Sequence, residues 1–274
     1  MPFFYDIPPG FALRQHVRVY RFLNFSFTDT APVKAYPPRP EITLAFYPRD
    51  PEQVSYAKGK PLRSVKSAII GQQSVVSQRQ VGQEFLLIQV VFQPGGFYRL
   101  TGIPSFHLTN QYLDAEAVLG AELGRLNEQL ANISHYPAMI PAVENYLMSL
   151  LFKSTYQLRP IDKLGLVMLE NPGGYTLDQL AKEACLSAKQ LERNFNERMG
   201  INPKYFARII RFDKAFRMKN AYPHKDWLSI ALDCGYYDYQ HLVRDYKEFT
   251  GATPTAFYLQ DTQSPERKFG IVEV

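Results

Sequence analysis

One pattern is written twice between Tyr175 and Tyr258, and it constrains this chain more than any other feature. Leu191, Arg193, Phe195, Gly200, Pro203 and Phe206 recur 51 positions later as Leu242, Arg244, Tyr246, Gly251, Pro254 and Phe257. Upstream the offset falls to 50, with Leu180-Ala181 answering to Ile230-Ala231, so one residue has been added between the two helices of the second copy. A solenoid needs about three stacked repeats to bury a continuous core. Two copies therefore read as two small helical units within one domain.

Each unit reads as helix, tight turn, helix. Thr176 precedes Gln179 and Ser187 precedes Gln190 by three residues, the spacing at which hydroxyl and amide satisfy the open N–H groups of a helix start. Two helix starts 11 residues apart leave room for about two turns of helix and a short connection, the size of a helix-turn-helix. Leu191 and Phe195 face inward, while Lys189, Glu192, Arg193 and Asn196 share the opposite stripe. In the second copy Gly235 marks the turn and Asp238 the N-cap. Leu242, Tyr246 and Phe249 form the apolar stripe there, leaving Gln240, His241, Arg244 and Lys247 toward solvent. Gly200 and Gly251 close the copies, and Asn202-Pro203 and Thr253-Pro254 start the helices that follow. The connecting helix carries Lys204, Arg208, Arg211, Lys214, Arg217 and Lys219 against Asp213 alone.

The runs Ser187-x3-Leu191-x-Arg193-x-Phe195-x4-Gly200-x2-Pro203 and Ile230-Ala231-x3-Gly235-Tyr236-x-Asp238, with Arg244-x-Tyr246-Lys247-x3-Gly251-x-Thr253-Pro254, resemble the DNA-binding domain of the AraC/XylS family of bacterial transcription regulators. Cys185 departs from the glycine common in the family's first turn, and Tyr236 and Tyr246 replace phenylalanines. The resemblance implies a sequence-specific DNA-binding regulator, an activator rather than a repressor, with double-stranded DNA and RNA polymerase as partners. By position in the motif, Lys189, Glu192, Arg193, Asn196, Tyr239, Gln240, His241 and Arg244 are expected at base edges. There arginine suits guanine, glutamine adenine, and a carboxylate the cytosine amine. Ser187, Lys204, Arg208, Arg211 and Lys247 are expected at phosphates or, for the basic residues, at the domain's own acids. Glu197 and Glu248, each four residues after the arginine, offer the competing reading of Arg193 and Arg244 as intrahelical ion pairs.

Residues 160–262 hold 14 Lys+Arg against 13 Asp+Glu, so the DNA-binding reading rests on where the charges lie and not on the whole-chain net charge of +5. A solvated helix face is the plainer explanation of the basic connecting helix.

In the first half, Val17, Val19, Arg21, Leu23, Phe25 and Phe27 alternate as a half-buried strand does. Further strands are predicted at 42–46, 65–70, 74–78 and 85–92, with Pro- and Gly-rich joints, which suits a sandwich or small barrel. By analogy with the family, this is a cupin-like or jelly-roll sensor domain. Leu119, Leu123, Leu126 and Leu130, then Val143, Tyr146, Leu147, Leu150 and Leu151, form two helical stripes that either pack on the sheet or present a homodimer seam. The expected organisation is therefore α+β in two domains. A β-rich sensor spans 1–112, a two-helix connector 113–159, a double helix-turn-helix 160–262 and a flexible tail 263–274.

Phe22, Phe25, Phe46, Tyr47, Phe85, Phe92, Phe97 and Tyr98 either line a pocket for a small-molecule effector or simply form core; no effector-binding residue is assigned. Pro94-Gly95-Gly96 stands out because two glycines permit close backbone approach, with a hairpin or strand-end turn as the plain alternative. The five histidines include no HxH or HxxxH pair, and Cys185 and Cys234 form no CxxC, so no metal, cofactor or catalytic set is legible. The cysteines are expected to be small buried thiols. No leader pattern opens the chain and no apolar run approaches 18 residues, giving a soluble, cytoplasmic expectation without a membrane partner. Two rivals remain: a DNA-binding protein whose first domain serves dimerisation only, and a cupin-type enzyme fused to a DNA-binding module.

Overall fold

The computed structural model describes residues 2–31, 33–56, 61–171 and 174–272. Its first half holds β1 (Phe3–Ile7), β2 (Val17–Ser26), β3 (Lys34–Tyr36), β4 (Thr43–Phe46), β5 (Gln53–Tyr56), β6 (Ser67–Ile70), β7 (Ser77–Gln80), β8 (Glu84–Phe92) and β9 (Tyr112–Asp114). All the pairings are antiparallel, and the strands form a six-stranded sheet, β1-β2-β8-β4-β6-β9, and a three-stranded sheet, β3-β7-β5.

The long strands are buried on both faces, against the half-buried expectation for residues 17–27. Tyr20 and Phe22 of β2, Leu44 and Phe46 of β4, and Leu86, Ile88 and Val90 of β8 enter one core. Their alternates Phe25, Ala45, Tyr47, Phe85 and Leu87 enter another on the opposite face. Alternation is thus kept, but both layers are covered, and a bulge between Val17 and Val19 breaks the single register that a strict period of two requires. What covers the first face is the helical connector. Helices α1 (Gly96–Thr101), α2 (Ala115–Leu119), α3 (Ala121–Asn132) and α4 (Met139–Lys153) follow the strands, and the α3 stripe Leu123, Leu126 and Leu130 and the α4 stripe Val143, Tyr146 and Leu147 share the core of the sheet. Full burial of each such side chain contributes about 1.5–3 kcal/mol, so these helices are part of the β domain's own core.

The Pro94-Gly95-Gly96 segment is a strand-end turn that leads from β8 into α1. Gly95 takes φ +69°, and a methyl group there would lie 2.5 Å from Asp162 Oδ1; one at Gly96 would strike the His16 carbonyl.

The second half is helical: α5 (Pro160–Glu170), α6 (Leu177–Glu183), α7 (Ala188–Met199), α8 (Pro203–Ala221), α9 (Trp227–Asp233), α10 (Tyr239–Thr250) and α11 (Pro254–Asp261). Pro172 and Gly173 of the predicted break after α5 lie outside the described residues. Helix α8 runs through the middle, its Phe206, Ile209, Phe212 and Phe216 buried among Leu191, Phe195, Leu242, Tyr246 and Phe257. Phe212 meets the Tyr246 ring at 4.7 Å, edge to face. Residues 264–272, expected to be loose, form a 3-10 turn (Pro265–Phe269) docked on the β domain, with Phe269 stacked on Phe25. Among the described residues no helix is long and apolar enough to cross a membrane.

Candidate nucleic-acid interface

The two helix-turn-helix units are built by the same local chemistry. In the first, the Thr176 hydroxyl accepts from Gln179 N (3.2 Å) while Gln179 Oε1 accepts from Thr176 N (2.8 Å), and Ser187 and Gln190 repeat the exchange at the start of α7. In the second, Asp226 caps α9 by accepting from Ser229 N at 3.0 Å, and Asp238 caps α10 by accepting from His241 N at 2.8 Å.

The turns match bond for bond. Leu186 N donates to Ala181 O (2.9 Å) and Cys185 N to Lys182 O (3.0 Å); Tyr236 N donates to Ala231 O (2.9 Å) and Gly235 N to Leu232 O (3.0 Å). Both turns need a left-handed residue, supplied by Cys185 at φ +56° and Gly235 at φ +79°. Because the turns superimpose at an offset of 50 and the N-caps at 51, the added residue is Tyr237. It lies just before the N-cap of α10, 86% exposed and edge-on to His241 at 6.0 Å. Sequence reasoning detected the insertion through the change of offset but did not assign this ring.

The stripe on α7 lies in the open. Lys189, Glu192 and Arg193 are exposed and, with Asn196, Ser187 and Asn202, line a shallow groove along the helix. On α10, Gln240, His241, Arg244 and Lys247 are exposed and Tyr239 half-buried. The acids that competed for the two arginines are engaged elsewhere. Glu197 accepts from Tyr98 OH at 3.4 Å, and Glu248 is held by Arg208 and by Tyr205 OH at 2.9 Å. Among the described residues neither Arg193 nor Arg244 has an ion-pair partner within 4.0 Å.

The basic helix α8 is not a uniformly solvated face. Arg208, expected at phosphates, donates to Asp245 Oδ1 (2.7 and 3.0 Å) and to Glu248, and so ties α8 to α10. Its hydrogen bonds hold the Glu248 carboxyl below the usual carboxylate range. Arg211 lies over the Tyr236 ring at 5.2 Å, Arg217 pairs with Asp213 at 2.8 Å, and buried Lys219 donates to the carbonyls of Pro223 and Lys225. Lys204 and Lys214 are left exposed on this helix, with Lys247 on α10.

The first unit is also fastened to the β domain. Asp162 of α5, fully buried, accepts two hydrogen bonds from Arg198 Nη1 of α7 (2.7 and 2.9 Å) and lies 3.5 Å from Arg99 Nη1 of α1. Ser105 Oγ donates to Arg198 O (2.8 Å) and Thr109 Oγ1 to Gly200 O (2.6 Å). Gly95, with no side chain, leaves the space that Asp162 occupies. Of the two glycines noted in the sequence, Gly95 thus serves this contact, while Gly96 makes room for the His16 carbonyl.

Of the eight aromatic side chains considered for a pocket, Phe25 and Phe85 line a cavity between the two sheets, along with Arg21, Tyr36, Arg79 and Gln89. Phe22, Phe46, Phe92 and Phe97 are core. Cys234 is buried, which pushes its thiol up to about 11, whereas Cys185 is exposed, correcting the expectation that both are buried.

Comparison with known proteins places these features. The family described as "Helix-turn-helix domain" matches residues 180–260, and a domain of unknown function (DUF6597) matches residues 5–114. Over 79 residues the chain is 32% identical to the HTH-type transcriptional regulator ArgR of Pseudomonas aeruginosa, covering 29% of this chain. The helix-turn-helix region of the chain is of the AraC/XylS type. The match spans 24% of that curated relative's length. Among solved structures, the AraC-type transcriptional regulator from Chromobacterium violaceum is 26% identical with TM-score 0.32, covering 36% of this chain and 88% of that one. ToxT K231A from Vibrio cholerae is 8% identical with TM-score 0.49, covering 88% of this chain and 97% of that one.

Proposed function

We propose that this regulator reads two successive major grooves with α7 and α10, so that one protomer recognises an asymmetric site and not half of a palindrome. The observation that carries the reading is the pair of matched turns, each presenting an exposed arginine, Arg193 or Arg244, whose neighbouring acid is engaged elsewhere. An unpaired guanidinium meets O6 and N7 of guanine without first breaking an ion pair. Lys189, Glu192, Asn196, Tyr239, Gln240 and His241 supply the remaining base contacts, with Tyr237 added beside them. Ser187, Lys204 and Lys247 serve phosphates, Arg211 joins them from the edge of Tyr236, and Arg208 acts there only after leaving its carboxylates.

The β domain is the regulatory part, acting through the buried contact on α7. A small-molecule effector would use the cavity between the sheets, and RNA polymerase is the partner at the promoter, reached in the cytoplasm and with activation as the outcome. Homodimerisation would use the surface around Phe152, 81% exposed at the end of α4. The chain does no chemistry of its own in this reading.

The test is selection of binding sites from random duplex DNA followed by footprinting of variants. Arg193→Ala and Arg244→Ala should each weaken specific binding by about 1–3 kcal/mol, roughly 5- to 150-fold, at base positions about one helical turn apart. Loss at the same base pairs for both variants would overturn the two-groove reading.

A further inference from the structure

Two residues of the 264–272 segment, Glu266 and Ile271, form part of the wall of the cavity between the sheets. The segment is pinned to the DNA-binding domain by Arg267, which donates to Asn220 Oδ1 (2.8 Å) and Asp261 Oδ2 (2.6 Å). Beyond that anchor it turns toward the β domain. The Glu266 carboxylate pairs with Lys34 of β3, both side chains only 12–13% exposed. The Phe269 ring stacks on Phe25 at 5.2 Å and 7° and meets Phe27 edge-on at 5.3 Å. Ile271 packs in the same apolar cluster, and Glu266 and Ile271 are themselves part of the cavity wall. About 80 Å³ of open space remains behind them, room for a few water molecules and no more.

The wall is unusual in composition. Apolar Leu23, Phe25, Phe85 and Leu87 stand beside the cations Arg21, Lys34 and Arg79. Arg79 stacks on Tyr36 at 3.9 Å and pairs with Glu52 at 3.4 Å, and Arg21 is held by Gln89 and Glu41. Lys34 has its anion supplied from the far end of the chain, 232 residues away. One carboxylate and one aliphatic side chain on a short turn therefore line the cavity, and an aromatic ring of the same turn stacks on its wall at Phe25, as the parts of a bound molecule would.

We propose that residues 264–272 are an internal ligand, and that the cavity accepts in their place an organic anion with an aromatic or aliphatic body. Its anionic head replaces Glu266 at Lys34 and its body replaces Phe269 on Phe25. Because Arg267 joins the same turn to α8 and α11, filling the cavity from outside releases a strap that connects the two domains. The inference stands apart from the two-groove reading, since its test contains no DNA.

The test uses the full chain and the fluorescent probe 8-anilinonaphthalene-1-sulfonate, an aromatic anion. An occluding strap lowers apparent affinity by the fraction of molecules in which the cavity is open. Glu266→Gln/Phe269→Ser should therefore bind the probe at least about tenfold more tightly than the native chain. A synthetic peptide of residues 262–272 should displace the probe from that variant, and adding Lys34→Gln should remove the gain. Glu266→Gln alone, a near-isosteric change, should give a smaller gain of the same sign. Equal probe binding by native and single and double variants would overturn the proposal. So would a gain that neither the peptide nor Lys34→Gln reduces, because it would report loosened packing and not an opened site.

Discussion

The two helix-turn-helix units share one turn chemistry and differ in what holds them. The C-terminal end of α7 is stitched to the β domain: Arg198 O and Gly200 O accept from Ser105 and Thr109, and Arg198 shares buried Asp162 with Arg99. The corresponding strut of the second unit, Arg208 with Asp245 and Glu248, lies wholly inside the DNA-binding domain. The β domain therefore bonds directly to the backbone at the C-terminal end of α7. The first unit thus meets the β domain directly, and the second by way of α8, α11 and the turn that carries Arg267.

The sharpest break in this comparison is a single atom exchange at Asp162. With Asn in its place, two guanidiniums at 2–4% side-chain exposure lose their shared carboxylate, and removing one member of a buried ionic set costs about 3–5 kcal/mol. Urea unfolding of Asp162→Asn should show a loss of that size. Asp245→Asn is the counterpart in the second unit, where Arg208 is 23% exposed and keeps Glu248; there the expected loss is about 1–3 kcal/mol, mostly from Tyr236, whose hydroxyl donates to Asp245 Oδ2 at 3.0 Å. Equal losses in the two variants would mean that the first contact is no more demanding than an ordinary helix-to-helix strut.

Acid should weaken the first side of the comparison before the second. His16 sits beside the contact, its carbonyl accepting from Gln93 N and packed against Gly96. Burial, and then the nearby Arg99 charge, push its imidazole down to about 4. An unfolded histidine takes up its proton near pH 6.5, so between about pH 6.5 and 4 the unfolded chain holds a proton that folded His16 refuses. Stability is complete above that window and falls as pH drops through it. His16→Gln should flatten the fall measured between about pH 7 and 5; an unchanged slope would assign the loss to other groups.

What was legible in the sequence was what short-range chemistry determines. The capping pairs Thr176/Gln179 and Ser187/Gln190, the N-caps Asp238, Asn202 and Thr253, and the left-handed turn positions all follow from residues within five of one another. The exposed stripes of α7 and α10 follow from the same periodicity. For Arg208 the choice between phosphates and the domain's own acids was not legible, because its carboxylates lie 37 and 40 residues downstream on another helix, and a basic stripe carries no mark of which charges turn inward. The contact of Asp162 with Arg99 and the docking of Glu266 on Lys34 are longer-range still. Two-sided burial of the sheet was more accessible: Phe85-Leu86-Leu87-Ile88 is an unbroken apolar run, which a strand with one wet face does not have.

The finest difference between the units is in the turns themselves. Gly235 and Cys185 occupy the same left-handed position, at φ +79° and +56°. An L-residue pays about 1–2 kcal/mol to sit there, less the entropy that glycine loses on folding, about 0.5–1 kcal/mol. Gly235→Ala should thus destabilise the second unit by about 1 kcal/mol, and Cys185→Gly should stabilise the first by up to about 1 kcal/mol. Denaturant midpoints of the two variants, moving in opposite directions with unchanged slope, are the expected signature. If Cys185→Gly instead lowers the midpoint, the thiol or its Cβ makes a contact that outweighs the backbone strain, and the first turn is then held by its side chain where the second is held by the lack of one.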